Sequence, residues 1–241
     1  MNAVILQRRA TFFVSNPINF NEDLLSVYIN KFSGLGLLPS VNKGFGIKIT
    51  PTGVEPQDII SLDLKKLDNT LKVSFGPDRV DVLSTKNDET LDLFLDRVSE
   101  LSDVIKQICG SFNRLALGVN ARFQMNPVLC QKSYNLLTKS DDVDPIEWQI
   151  RKVNRVPLTT ADKKYEALIN LVYSLSRNES LINLPNSKDS IVIEFDFNTM
   201  VGTPAIVLDS IEGVFWGYAK EQIEEGISNY KAIFESWAQL K

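Results

Sequence analysis

The chain has 241 residues, of which 44% are hydrophobic and 23% charged, and its formal net charge is −4. This composition is typical of a globular protein with a sizeable core, and it excludes the disordered and fibrous classes. Because the sequence contains no histidine, it also excludes Ser-His and Cys-His nucleophile pairs.

The first third of the sequence predicts a strand, a helix and an antiparallel meander. Residues Ala3 to Val14 alternate in polarity as a strand does. After Asn21, a candidate N-cap, apolar residues recur at helical spacing as far as Phe32. From residue 39 to residue 84, short alternating runs separated by turn sequences predict three or four strands.

The middle of the chain predicts a helix, a strand and a second helix. The first helix follows Asp88 as its cap and ends at Gly110, and Asn113 to Phe123 alternates in polarity as a strand. Pro127 then suits the first position of a short helix that runs to about Leu137.

A polar, acidic segment from Ser140 to Pro145 predicts a boundary between two halves, residues 1–139 and 145–241, which pack together as one unit. The second half predicts strands and one long helix, namely Ile146 to Val156, Ala167 to Arg177, Ile191 to Phe197, and a helix from about Ser210 to about Gln239. The whole order predicts an α+β fold with antiparallel sheets and about four helices, and it is compatible with two related sheet-plus-helix halves.

The cysteines and the N-terminal residues indicate the cellular compartment. Cys109 and Cys130 are 21 residues apart without C-x-x-C spacing, which favours two reduced thiols over a bridge. Arg8 and Arg9 interrupt the apolar start, and no apolar run approaches the length of a membrane-spanning helix. We therefore expect a cytoplasmic protein without a membrane partner.

Acidic pairs are the remaining candidates for catalysis. Glu194 and Asp196 lie two residues apart on a predicted strand, so their carboxylates share one face and could serve a metal-dependent hydrolase. The solvent side of a half-buried strand has the same pattern, and we favour that interpretation. With no phosphate-binding glycine motif, we expect no cofactor, no metal and no catalytic residues, and we lean towards a protein that is not an enzyme.

Basic residues support a hypothesis of nucleic-acid binding. If the strand from Ile146 to Val156 lay beside the N-terminal strand, Arg9, Arg151 and Arg155 would share a face with Trp148 and form a groove for nucleic acid. Dispersed, solvated charges explain the same residues, and the acidic net charge favours that alternative.

The segment from Phe112 to Phe123 contains Arg114-Leu115-Ala116-Leu117-Gly118. It resembles the arginine-leucine-glycine-leucine strand motif of a sporadically distributed, uncharacterised bacterial protein family. As in that family, the motif follows a helix, and that helix follows a strand bearing Asp78-Arg79; the C-terminal helix with Phe234 is also similar. The resemblance implies an accessory protein of mobile or defence-related gene neighbourhoods, and it implies no catalytic residues.

Two functional hypotheses follow. The first is a non-enzymatic binding or assembly protein, a subunit of a bacterial defence or toxin-control system, which binds a protein partner or a second copy of itself. Trp216 lies beside the apolar stripe of the C-terminal helix and is the candidate contact residue. The alternative is a nucleic-acid-binding or processing protein with ferredoxin-like halves, which would use Arg9, Arg151 and Arg155.

Overall fold

A computed structural model describes residues 3–18, 22–51, 53–125, 127–139, 145, 147–177 and 189–239. In these ranges the chain forms nine strands and four helices, which confirms the predicted α+β class. In chain order they are β1 (Ala3–Val14), α1 (Glu22–Ser33), β2 (Leu38–Thr50), β3 (Gly53–Lys65), β4 (Leu71–Phe75), β5 (Arg79–Ser84), α2 (Leu91–Cys109), β6 (Phe112–Gln124), α3 (Pro127–Thr138), β7 (Trp148–Thr159), β8 (Glu166–Arg177), β9 (Ser190–Thr199) and α4 (Ala205–Trp237). The predicted cap Asn21 and the predicted boundary residues 140–144 lie outside the described residues.

The strands form one antiparallel sheet in the order β2-β3-β4-β5-β1-β6-β9-β8-β7. The first strand, β1, lies at the centre and pairs with β5 on one side and β6 on the other. The last strand, β9, lies between β6 and β8. The hydrogen bonds between β6 and β9 therefore join the strands of the two predicted halves in a single continuous sheet.

The described helices all pack on one face of the sheet, which we call the helix face. Successive residues of a strand point to opposite faces, and on β6 the helix face carries the buried residues Leu115, Leu117 and Val119. Aromatic contacts join the layers: the rings of Phe123 on β6 and Phe234 on α4 lie 5.1 Å apart. The core thus lies between the sheet and its single layer of helices.

The start of α2 corrects a prediction. Its N-cap is Thr90, whose Oγ1 accepts a hydrogen bond from the backbone N–H of Leu93 at 3.2 Å. The predicted cap, Asp88, lies in the preceding loop, where its carboxylate is 3.7 Å from the Lys86 ammonium. Thr90 takes the role because it directly precedes Leu91, the first helical residue.

The longest helix, α4, has 33 residues and begins at Ala205, earlier than the predicted start near Ser210. Pro204 directly precedes its first turn, and Leu208 in that turn is buried. The apolar stripe of α4 therefore begins nearer the N-terminus than the sequence pattern indicates. Neither α4 nor any other helix in the described part of the chain has the apolar length that crossing a membrane requires.

Both cysteines are free thiols in the structure. Cys109 is half-buried at the end of α2, and Cys130 is fully buried in α3. Burial raises the pKa of Cys130 to about 12, so this thiol stays protonated and weakly nucleophilic at neutral pH.

Candidate functional site

The face of the sheet opposite the helices is the candidate functional site, and we call it the uncovered face. No helix of the described chain packs on it, because the helices contact residues of the helix face. On β6 the uncovered face displays Arg114, Ala116, Gly118, Asn120 and Arg122, which are alternate residues of the segment from Phe112 to Phe123.

Hydrogen bonds between neighbouring strands hold the polar side chains of this face in place. Thr11 Oγ1 donates to Asp81 Oδ1 at 2.6 Å. Near the opposite end of the same row, Asn170 Nδ2 donates to Asn198 Oδ1 at 3.2 Å, and Arg155 Nε donates to Asn170 Oδ1 at 3.0 Å. Thr11 and Asn198 are each only 4% exposed, so these groups form a fixed polar surface.

A small polar hollow lies near the middle of the uncovered face. It measures about 30 Å³, room for about one water, and its lining includes Arg9, Gly118, Asn120 and Glu194. The Nε and Nη2 atoms of Arg9 lie 3.8 Å from the position that a Cβ of Gly118 would occupy. Because Gly118 has no side chain, the guanidinium of Arg9 can lie across the neighbouring strand.

Three arginines of β1 and β6 lack carboxylate partners: Arg9 lines the hollow, and Arg114 and Arg122 lie four residues to either side of Gly118 on β6. Arg9, Arg114 and Arg122 form no ion pair within the described residues. The guanidinium of Arg114 stacks on the ring of Phe13 at 4.9 Å. The Nε atoms of Arg114 and Arg122 are buried without a hydrogen-bond partner in the described structure. Such donors are costly to leave unsatisfied.

Carboxylates on the β3–β5 side of the face are, in contrast, paired. Asp63 Oδ2 lies 3.0 Å from the Lys72 ammonium, and Asp63 Oδ1 accepts a hydrogen bond from Ser74 at 2.6 Å. Burial opposes the charge of Asp63, but the Ser74 bond and the Lys72 charge together hold its pKa below the ordinary value. Arg79 Nε lies 3.1 Å from Asp81 Oδ2.

Basic side chains outnumber acidic ones on the described part of the uncovered face. The basic residues are Arg9, Lys65, Lys72, Arg79, Arg114, Arg122, Arg151 and Arg155, and the acidic ones are Asp63, Asp81, Glu166, Glu194 and Asp196. The whole chain is acidic, with 30 Asp and Glu against 26 Lys and Arg. The uncovered face is therefore a local exception to the net charge of the molecule.

The predicted adjacency of Arg9 to Arg151 and Arg155 is wrong. All three lie on the uncovered face, but three strands separate β7 from β1, which is roughly 19 Å. β7 is an edge strand whose pairing partner in the sheet is β8. Trp148 lies on the helix face, where it is buried with its ring 6.1 Å from that of Tyr134.

Trp216 is placed in the core and not at a contact surface. Its side chain is 5% exposed, its ring lies 5.7 Å from Phe12 and 4.8 Å from Phe215, and its Nε1 donates to Glu212 Oε1 at 3.3 Å. The apolar stripe of α4 is wide enough to include this position as well as Phe215, so the indole packs on β1.

Glu194 and Asp196 share the uncovered face, as their spacing predicts. Glu194 is exposed and Asp196 half-buried. Within the described residues, no group of three or more Cys, Asp or Glu side chains is placed to hold a metal ion.

Arg114 and Arg122 are candidate site residues that the sequence pattern does not single out. Their alternation with apolar residues correctly predicts one polar and one buried face of β6. Alternation cannot show that β6 lies near the middle of the sheet, or that the helices of the described ranges pack on its other face.

No protein-family model matches the chain, and neither does any curated protein.

Proposed function

We propose that this chain is a non-enzymatic binding or assembly protein that docks a protein partner on its uncovered face. The observation that carries the proposal is that three arginines spread along β1 and β6, Arg9, Arg114 and Arg122, have no carboxylate partners among the described residues. Arginine is enriched in protein interfaces, and a rigid sheet holds these guanidinium groups in place before a partner arrives.

The charges of the face suit an acidic partner segment. Carboxylates of such a segment would pair with the arginines of β1 and β6, and the fork of each guanidinium can bind a carboxylate through two hydrogen bonds. Glu194 and Asp196 on the neighbouring strand would repel a segment placed out of register. This combination of attraction and repulsion contributes more to the choice of partner and register than to the strength of binding.

The family resemblance provides the biological setting of the proposal. The partner would be another component of a bacterial defence or toxin-control system, met in the cytoplasm. Association with a second copy of the chain is the alternative within the same class.

Nucleic-acid binding is the second candidate, and the excess of basic side chains on the uncovered face favours it. One observation counts against it. The aromatic residue that the described strands place on this face is Phe13, and its ring is already stacked under the Arg114 guanidinium. Binding of single strands usually depends on exposed aromatic rings that stack on bases.

Affinity purification with charge-reversal variants tests the proposal. Tagged wild-type protein, the variant Arg114→Glu with Arg122→Glu, and a control variant are used to capture partners from a nuclease-treated lysate of the source organism. The control, Lys132→Glu with Lys231→Glu, makes the same change of charge at exposed positions on α3 and α4. Circular dichroism and thermal unfolding check that each variant is folded.

We expect a stoichiometric protein partner that the wild type and the control retain and the Arg114/Arg122 variant loses by about tenfold or more. Recovery of a second copy of the chain with the same dependence would support self-association. A partner that all three proteins recover equally, or one that disappears with nuclease treatment, contradicts docking of a protein on this face.

A further inference from the structure

A groove lies on the helix face, between α4 and the outer hairpin formed by β7 and β8, and we call it the α4 groove. Its volume is about 290 Å³, close to the lower end of the range for small-molecule sites. Lys152 and Asn154 of β7 and Tyr173 of β8 line one wall, and Gln222, Glu225 and Tyr230 of α4 line the other.

The polar wall of β7 is an exception in an otherwise apolar layer. The helix-facing positions of β7 before and after it are Ile150 and Val156, both of which pack against the core. Lys152 and Asn154 occupy the two positions between them and are exposed. Both side chains line the α4 groove and make its β7 wall polar.

A glycine permits the close approach of α4 to β9 beside the groove. At Gly226 an added Cβ would lie 2.5 Å from Cε1 of Phe195 on β9. The helix also contacts β8 and β7, whose residues form the other wall of the groove.

Two tyrosines form the aromatic part of the groove. The ring of Tyr173 lies 5.3 Å from Phe197 and 5.7 Å from Phe195, and the ring of Tyr230 lies 6.0 Å from Phe234. These contacts fix the rings, and neither phenol hydroxyl has a hydrogen-bond partner within the described chain. Burial raises the pKa of both phenols, so at neutral pH they remain donors.

We propose that the α4 groove binds a nucleoside monophosphate. Fixed tyrosine rings can stack on a base, and the Asn154 amide offers the paired donor and acceptor that a base edge requires. Gln222 Nε2 donates to Glu225 Oε2 at 3.5 Å, which leaves Gln222 Oε1 as a further acceptor. The Glu225 carboxylate can accept hydrogen bonds from ribose hydroxyls, and the Lys152 ammonium can bind the phosphate. Each part of a nucleotide thus meets a group of matching chemistry.

The proposal is independent of the proposed docking of a protein, because the groove and the uncovered face are on opposite sides of the sheet. Lys152 and Glu225 are both exposed, so substitutions that preserve their size can test the ligand without unfolding the protein. Lys231→Gln and Glu221→Gln are matched controls, since both residues are exposed on α4 and neither lines the groove.

Isothermal titration of the full chain with AMP, GMP, CMP and UMP tests the proposal. We expect at least one to bind with a Kd below about 1 mM. Lys152→Gln should weaken that nucleotide by about fivefold or more and leave the affinity for its nucleoside unchanged. Glu225→Gln should weaken the ribonucleotide more than the 2′-deoxynucleotide, because the neutral amide oxygen is a weaker acceptor than the carboxylate for the 2′-hydroxyl, which the deoxynucleotide lacks.

The proposal is overturned if none of the four nucleotides binds at 5 mM, about five times that Kd limit. It is also overturned if a nucleotide binds but Lys152→Gln and Glu225→Gln leave its affinity at the level of the two controls, since the site would then lie elsewhere on the molecule.

Discussion

At the scale of single residues, the uncovered face combines two kinds of charged group. Three arginines have no carboxylate partner among the described residues, whereas the carboxylate of Asp63 is fully paired. Asp63 is 8% exposed and accepts hydrogen bonds from Ser74 and Asn42 beside the Lys72 ammonium. These partners outweigh its burial and lower its pKa. The arginines around Gly118 lack such compensation from the described residues, which is why we place the docking site there.

We predict that Asp63→Asn lowers the free energy of unfolding by about 1 to 2 kcal/mol at pH 7. A lowered pKa in the folded state means that the charge stabilises the fold above the ordinary pKa of 3.8. The stabilisation is lost as the pH falls through the folded-state value. Urea unfolding of both proteins from pH 7 to pH 2.5 measures this. A difference that grows below pH 4 would have the wrong sign for our account.

At the scale of elements, the close approach of α4 to β9 depends on Gly226. We predict that Gly226→Ala destabilises the protein by about 1 to 3 kcal/mol, because its Cβ would overlap the Phe195 ring. Gly213→Ala is the matched control: nothing lies within 4 Å of its Cβ position, and alanine favours a helix interior by about 1 kcal/mol. Chemical denaturation compares the two, and a Gly226→Ala protein as stable as Gly213→Ala would show that α4 does not approach β9 in this way.

The sequence predicts where the helices and strands lie along the chain better than it predicts how they are arranged in the fold. Alternation along β6 and helical spacing along α2 are local signals, and both elements occur where these patterns indicate. The position of β9 between β6 and β8 is set by contacts between residues far apart in the chain. The sequence does not show the order of the strands. It therefore could not predict that Arg151 lies far from Arg9, or that Trp216 packs on Phe12.

At the scale of the whole molecule, the single layer of helices gives the sheet two different roles. One face holds the core and leaves the α4 groove beside the outer hairpin, and the other face is polar and free of described helices. An antiparallel sheet can keep one face in solvent. On this face three arginines have no carboxylate partner among the described residues, and our proposal that a partner docks here rests on them.

Photo-crosslinking from defined positions tests most directly whether the uncovered face is a docking surface. A photoreactive residue is placed at Asn120 on the uncovered face, or at Lys231 on α4 as the control, and the cells are irradiated. We predict a discrete protein adduct from position 120 that is absent from position 231. Adducts from position 231 alone, or adducts to nucleic acid alone from position 120, would contradict the central claim that a protein partner docks on this face.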